Sequence, residues 1–398
     1  MTKRDTMKIA MIGQKGIPAI YGGIERHVEE LATRLAGCGF DVSAYCRPWY
    51  FKENHESRLR DATARQVRIT NHEYKGIKLI ILPSIKTKNL DAITHTFIST
   101  LHAIFIIKPD VIHYHGVGPS LLSWIPKLLA PKIKVIATFH CIDRKHQKWG
   151  FIARLALRIG EWAACHFADK TITVSKTLQQ YCSEAYDKDV LYIPNGVNVE
   201  EKNSIAKRAE VLKKFGLKKE KYLLMVSRLV RHKGAHYLIQ AFRDLKKNNK
   251  EFSDLKLVIA GDSAFTDDYV KELKRLAKGN RDIVFTGFQS GKALENLFLN
   301  SLVVIHPSES EGLPIAVLEA MSYGKVVIAS NIPENMEIVK KHGVSFENKN
   351  IEDLMAKMSN VIAANDLKKR GELAKQFVKK NYNWEGIAKK TKEVYLGI

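Results

Sequence analysis

Glu311-Gly-Leu-Pro-Ile-Ala-Val-Leu-Glu319, entered from the apolar run Leu302-Val-Val-Ile-His-Pro-Ser308, is the stretch on which the fold turns. The run before it has the length and composition of a buried parallel strand. Gly312 and Pro314 mark a turn, and Val317-Leu318-Glu319-Ala320-Met321 is good helix sequence. A strand that passes through a turn into a helix N-terminus makes an anion site, because unpaired N–H groups and the helix dipole converge there. Glu311 falls in that turn and Glu319 about one turn further, in the helix, so the two carboxylates flank the place where an anion would rest. A negative ligand with hydroxyls on both sides fits such a place, and a nucleotide sugar is one.

Outward from this stretch, the same strand and helix alternation fills the chain. Its second half carries Tyr222-Leu-Leu-Met-Val226, Leu255-Lys-Leu-Val-Ile-Ala260, Ile283-Val-Phe285, Leu302-Val-Val-Ile305 and Lys325-Val-Val-Ile-Ala329. The first half carries Lys8-Ile-Ala-Met-Ile-Gly13, Asp41-Val-Ser-Ala-Tyr-Cys46, Lys78-Leu-Ile-Ile-Leu82, Val111-Ile-His-Tyr-His115, Lys134-Val-Ile-Ala-Thr138, Lys170-Thr-Ile-Thr-Val174 and Val190-Leu-Tyr-Ile193. Between strands, Ile24, Val28, Leu31, Ala32 and Leu35 recur at helical spacing as a core-facing stripe. This pattern predicts α/β architecture, with parallel sheets covered by helices. The densely charged segment from Glu200 to Lys221 reads as the crossing between two doubly wound, Rossmann-like domains, and residues 351–398 read as helical. Ligand is expected in a cleft facing the carboxyl ends of both sheets.

Composition narrows the class. A chain of 398 residues is too long for one ordinary core and suits two domains. The longest apolar stretch, Phe97 to Ile107, falls short of the ~18 residues that span a bilayer, and Met1-Thr-Lys-Arg-Asp-Thr-Met7 lacks the apolar core of a secretory signal. Cysteines 38, 46, 141, 165 and 182 have neither metal-knuckle nor redox-pair spacing, so free thiols in a cytoplasmic location are expected. A net charge of +22 implies an anionic partner, for which nucleic acid, a phosphorylated substrate and anionic lipid compete. A solvated basic face is the plainer account of the same charge. Against nucleic acid, no binding motif appears and aromatics are not interleaved with the basic clusters.

Several stretches have the residue types that chemistry needs. The first turn, Gly13-Gln-Lys-Gly-Ile-Pro-Ala-Ile-Tyr-Gly22-Gly23, lacks the dinucleotide fingerprint, which argues against a nicotinamide enzyme. Gly22-Gly23 before a helix lets backbone approach a phosphate or sugar closely, though a plain turn explains it too. Ser227-Arg228-Leu-Val-Arg-His-Lys233-Gly234 follows a strand, and its cations can converge on one diphosphate, neutralising the charge that builds as a nucleoside diphosphate departs. His140, in Thr138-Phe-His140-Cys-Ile-Asp143, stands at a strand's carboxyl end, where imidazole can donate to a substrate hydroxyl or accept its proton. His113 and His115 read as lining of that cleft rather than as metal ligands, since no third ligand has sensible spacing. Asp187-Lys-Asp189 follows helix-like sequence and reads as surface charge, so no metal is expected, Arg228 and Lys233 doing its electrostatic work. Trp149, Phe151, Ile152, Leu155, Ile159 and Trp162, with Lys148, Arg154 and Arg158 between them, form an amphipathic segment with a basic side. Packing against the sheet and docking on an anionic membrane both account for it.

Taken together, these motifs resemble the retaining glycosyltransferases of family 4, which have the two-domain GT-B fold. The likeness rests on Ile193-Pro-Asn-Gly-Val197, Ser227-Arg-Leu-Val-Arg-His-Lys-Gly234, Val258-Ile-Ala-Gly-Asp262 and Glu311-Gly-Leu-Pro through Glu319-Ala-Met, in that order. It implies that Arg228 and Lys233 hold the donor diphosphate, that Glu311, in the turn Gly312-Leu313-Pro314-Ile315, meets the donor sugar hydroxyls, and that Glu319 binds the ribose. By the same likeness Gly22 and Gly23 close on the phosphates and His140 stands beside the donor sugar. It further implies an acceptor-binding domain over residues 1–200, a nucleotide-sugar-binding domain over 201–381, and a final helix over 382–398, containing Trp384, that crosses back onto the first. The first turn and Lys148-Trp149 are similar to the narrower rhamnosyltransferase-type enzymes of bacterial capsule and exopolysaccharide assembly on a polyprenyl diphosphate carrier. Cys141, where that group commonly has Gly, and the basic Arg144-Lys145-His146 depart from it on the acceptor side.

The expected protein is therefore a cytoplasmic, metal-independent enzyme, peripheral at the inner face of the plasma membrane. It would move rhamnose, glucose or a related hexose from a nucleoside-diphosphate sugar to a glycan or a polyprenyl-diphosphate-linked acceptor in surface polysaccharide synthesis. A sugar-nucleotide epimerase of the same fold, and a non-catalytic basic protein binding lipid or nucleic acid, remain open from sequence. Oligomeric state is not legible in it.

Overall fold

The computed structural model describes residues 6–50, 72–87, 90–145, 149–199, 208–248, 250–264 and 266–398. His146, Lys148 and residues 200–207 of the charged crossing segment lie outside the described residues, and the described remainder of that segment carries a helix, Arg208–Lys214. The chain forms two compact units, Met1–Asn195 together with Trp384–Ile398, and Gly196–Asn383.

The first unit is built on strands β1 (Lys8–Ile12), β2 (Asp41–Cys46), β3 (Glu73–Tyr74), β4 (Ile77–Ile81), β5 (Val111–His115), β6 (Lys134–Phe139), β7 (Lys170–Thr173) and β8 (Leu191–Tyr192). They lie in the order β3-β4-β2-β1-β5-β6-β7-β8. Every neighbouring pair is parallel except β3 with β4. That short antiparallel edge was not expected, because two residues carry no readable period. The chain leaves β1 toward β2 and later returns to pair β5 on its other side, so a topological switch point opens between β1 and β5. Gly13, just past β1, has φ +122°, and a Cβ there would lie 2.5 Å from the His115 carbonyl oxygen, so only glycine lets the two strand ends approach so closely.

Val28, Leu31, Ala32 and Leu35 of the helix Gly23–Gly37 are buried against this sheet, as their spacing requires. The final helix, Trp384–Leu396, packs on that helix. Trp384, Ile387 and Tyr395 enter the first unit's core, and Arg34 Nε meets Glu385 Oε1 at 2.8 Å.

In the second unit, β9 (Tyr222–Val226), β10 (Lys256–Ala260), β11 (Ile283–Gly287), β12 (Val303–His306), β13 (Val327–Ser330) and β14 (Val344–Phe346) form an all-parallel sheet ordered β11-β10-β9-β12-β13-β14. Here the switch point lies between β9 and β12. Its core joins Leu223, Met225, Leu257, Ile259, Val303 and Ile305 of the strands to Leu238, Phe242 and Leu354 of the helices around them. The tail is helical over Ile351–Ile362 and Leu367–Asn381. Among the described residues, no helix is long and apolar enough to cross a membrane.

Candidate active site

Two loops leave the switch point of the second unit. The basic loop Ser227–Gly234 follows β9, and Pro307–Pro314 follows β12. They are pressed together: Gly234 has φ +73°, and a Cβ on it would lie 2.0 Å from the Pro307 carbonyl oxygen. The Glu309 N–H also donates to the His232 carbonyl at 2.7 Å.

This clamping brings Lys233 and Glu311, 78 positions apart in sequence, into an ion pair with Nζ 2.5 Å from Oε1. His306, the last residue of β12, adds a hydrogen bond from Nε2 to the same carboxylate oxygen at 2.7 Å. An ionised carboxylate only accepts, so His306 Nε2 carries a proton. Ser308 Oγ lies 3.0 Å from that nitrogen, and Asn335 Nδ2 holds Ser330 Oγ at 2.9 Å, whose hydroxyl in turn donates to the Ser308 carbonyl. Burial alone would raise the Glu311 carboxyl. The charge of Lys233, followed by the His306 hydrogen bond, outweighs it and holds the carboxyl well below the usual range. The result is a fixed, ionised carboxylate beside a fixed cation, each largely withdrawn from water.

The helix Ile315–Ser322 begins directly after, with Pro314 at its N-cap. Its N-cap makes no side-chain hydrogen bond and no acidic residue stands in its first turn, so the positive end of its dipole, just after the turn that holds Glu311, is uncompensated within the helix. Gly312, Leu313 and Pro314 are buried and Ile315 is half-buried. Glu319 sits in the middle of that helix, half-buried. Arg228 is exposed, and its guanidinium makes no hydrogen bond or ion pair among the described residues. The structure thus joins Lys233 to Glu311 directly, while Arg228 makes no hydrogen bond or ion pair with them. His306 and Ser308 were missed as functional candidates. The available signal was a histidine at the last position of a buried strand, the same signal that singled out His140.

In the first unit, Gly22 is the N-cap of Gly23–Gly37 with φ +105°. A Cβ on Gly22 would lie 1.9 Å from Glu25 Oε2, so the Glu25 carboxylate is folded back over this helix start, where Oε1 also accepts from the Lys15 N–H at 3.1 Å. His140 follows β6 and is buried, with Nε2 3.3 Å from His115 Nδ1. Burial, then the neighbouring His27 and His113, push its imidazole well below the usual histidine range, so it is neutral at pH 7.

Two sequence expectations need correction here. His113 and His115 line no opening: both are fully buried, and His113 is held by Tyr395 OH at 2.6 Å and Thr138 Oγ1 at 2.7 Å. A third histidine does stand with His115 and His140, since His27 comes from a helix distant in sequence. Spacing along the chain could not show it.

Asp187 and Asp189 are exposed after the helix Lys176–Tyr186, Asp187 being its left-handed C-cap. The helix Phe151–His166 buries its small residues Gly160, Ala163 and Ala164 against the unit. Its large apolar side chains point outward, with Phe151 and Ile152 each 82% exposed and Leu155, Ile159 and Trp162 also exposed. Packing of these residues against the sheet is therefore not what the amphipathic pattern encodes.

Comparisons with known proteins give the family and the fold. The family profile described as Glycosyltransferase Family 4 matches residues 21–201, and that described as Glycosyl transferases group 1 matches residues 207–393. An uncharacterized glycosyltransferase of Methanocaldococcus jannaschii, MJ1607, is 28% identical over 98% of each chain. The UDP-Gal:alpha-D-GlcNAc-diphosphoundecaprenol alpha-1,3-galactosyltransferase of Escherichia coli is 27% identical over 58% of this chain and 60% of its own. In fold, the chain superposes on Anabaena HepE, crystallised in complex with UDP-glucose, with a TM-score of 0.78 at 20% identity, covering 98% of this chain and 100% of the other. Two α/β sheets, each with its loops at a switch point, make the GT-B fold, and the two family profiles make the chain a glycosyltransferase that takes its sugar from a nucleotide sugar. The chain belongs to family 4 of the glycosyltransferases, its two halves matching the family's two profiles in order.

Proposed function

We propose that this enzyme transfers a hexose, with retention of configuration, from a nucleoside-diphosphate sugar to a hydroxyl of a glycan or polyprenyl-diphosphate-linked acceptor. The observation that carries the proposal is the Lys233–Glu311 pair fixed at the β9/β12 switch point beside an uncapped helix start. In this reading Lys233 and Arg228 absorb the charge shed as the diphosphate departs, a role in which fixed cations act without reorganising. Glu311 accepts from donor sugar hydroxyls, with the backbone of Gly312-Leu313-Pro314-Ile315 against the same sugar and its phosphates. Glu319 holds the ribose, and Gly22, Gly23 and His140 are the first unit's contributions. The acceptor attacks from the leaving-group side, so the departing phosphate takes its proton and no protein nucleophile is needed. No metal acts on the diphosphate in this scheme, because the two cations carry its charge.

A UDP-hexose donor is suggested by the UDP-glucose bound to HepE, and a lipid-linked acceptor by the diphosphoundecaprenol-linked substrate in the name of the Escherichia coli relative. No rhamnosyltransferase is among the relatives named above, and the donor is proposed at the level of a hexose. The outward apolar residues of Phe151–His166, with exposed Arg154 and Arg158 among them, suit docking on an anionic membrane surface. In this reading the enzyme works peripherally at the cytoplasmic face of the plasma membrane in surface polysaccharide synthesis.

A donor panel scored by nucleoside diphosphate release, with a membrane lipid extract as acceptor, tests the reading. Release should require acceptor and fall roughly 100- to 1,000-fold in Glu311→Ala. Near-normal turnover in that variant refutes the site.

A further inference from the structure

We propose that His27, His115 and His140 form a binding site for a divalent transition-metal ion inside the first unit. The three imidazoles come from separate elements: His27 from the helix Gly23–Gly37, His115 from the end of β5 and His140 from the residue after β6. One ligand atom from each lies within 4.8 Å of the other two, and all three residues are buried. The 3.3 Å between His115 Nδ1 and His140 Nε2 matches the edge between two ligands of a tetrahedral ion, about 3.3–3.4 Å for metal–nitrogen bonds of about 2.0–2.1 Å.

The surroundings support ligation. His27 Nδ1 lies 2.9 Å from Asn195 Oδ1, a contact that fixes the ring and, with Nδ1 as donor, leaves the Nε2 lone pair for a metal. His113, whose ring lies 4.0 Å from that of His115, does not join, because both its nitrogens are engaged by Tyr395 and Thr138. Three imidazoles and no carboxylate select zinc, cobalt, nickel or copper over magnesium or calcium, with a water or hydroxide in the fourth position. The site takes neither Lys233 nor Arg228, but it does take His140, so an ion bound here excludes the His140 contact to the donor sugar; cobalt binding is read without donor and does not depend on that contact.

Titration of the metal-stripped, tag-free full chain with cobalt(II) tests it, read by visible absorption and competed with zinc. The expected result is binding of equimolar cobalt with tetrahedral d–d bands, no thiolate charge-transfer band, and displacement by zinc. His140→Ala, at the most exposed of the three positions, should keep the wild-type melting behaviour and weaken cobalt binding on the order of 100-fold or more. His113→Gln should leave binding unchanged. Absence of cobalt binding by the wild type, a thiolate band that puts the ion on a cysteine, or full binding by folded His140→Ala would each overturn the proposal.

Discussion

Glu311 is ionised in a place that would otherwise neutralise it. A carboxylate held by Lys233 and His306 keeps its acceptor oxygens fixed, and in the proposed reaction the hydroxyls of a sugar meet a charge that needs no rearrangement. The same pair makes stability depend on pH. Because the folded carboxyl lies below its ordinary 4.5, its contribution is fully present above about pH 4.5 and is lost as pH falls through the folded value. Glu311→Gln leaves the Lys233 charge uncompensated and should cost about 3–5 kcal/mol at neutral pH. In urea unfolding, that gap from wild type should shrink as pH drops below 4.5, and a gap that stays constant into acid contradicts the assignment. Arg228 makes the opposite prediction. Exposed and unpaired among the described residues, it contributes nothing visible to the fold, so Arg228→Ala should shift stability by no more than ~0.5 kcal/mol. The same variant should lose about 3 kcal/mol of transition-state stabilisation, read as a fall in kcat with donor saturating.

At the scale of elements, the site is two loops clamped by one glycine. Gly234 links the basic turn to its helix in a left-handed conformation with the Pro307 carbonyl against it. Gly234→Ala forces those loops apart, which should separate Lys233 from Glu311 and lower both melting temperature and turnover; unchanged turnover in a folded Gly234→Ala would mean the clamp is dispensable. Most strands were legible because buried parallel strands are continuous apolar runs. β2, β5 and β9 begin and end where the sequence places them. The two unread strands, β3 and β14, are two and three residues long and owe their existence to neighbours in the sheet rather than to their own pattern. The helix Phe151–His166 was legible as amphipathic, yet its period cannot say which side faces inward. Small residues decided that, because only they let it approach the helical turn Val117–Ser120, where a Cβ on Gly160 would lie 2.2 Å from the Val117 carbonyl oxygen.

For the whole molecule, the net charge of +22 and the outward apolar residues of that helix make one prediction together. The enzyme should pellet with anionic vesicles and release as salt rises, since exposed charges are screened beyond roughly 8–10 Å. Phe151→Asp with Ile152→Asp should abolish pelleting without loss of stability, as both side chains are already in solvent. Equal binding to neutral vesicles removes the electrostatic account. What the sequence determined by itself was local and ordered: strand and helix alternation, the Glu311 turn, the basic loop after β9 and the sequential motifs of the family. These depend on residues near one another along the chain, where periodicity and turn chemistry act. Tertiary structure alone decided that Lys233 grips Glu311, that His306 shares that carboxylate, and that His27 joins His115 and His140. Each of these contacts joins separate elements brought together by sheet order, or depends on where a loop lays its side chain, and neither is written in any local period.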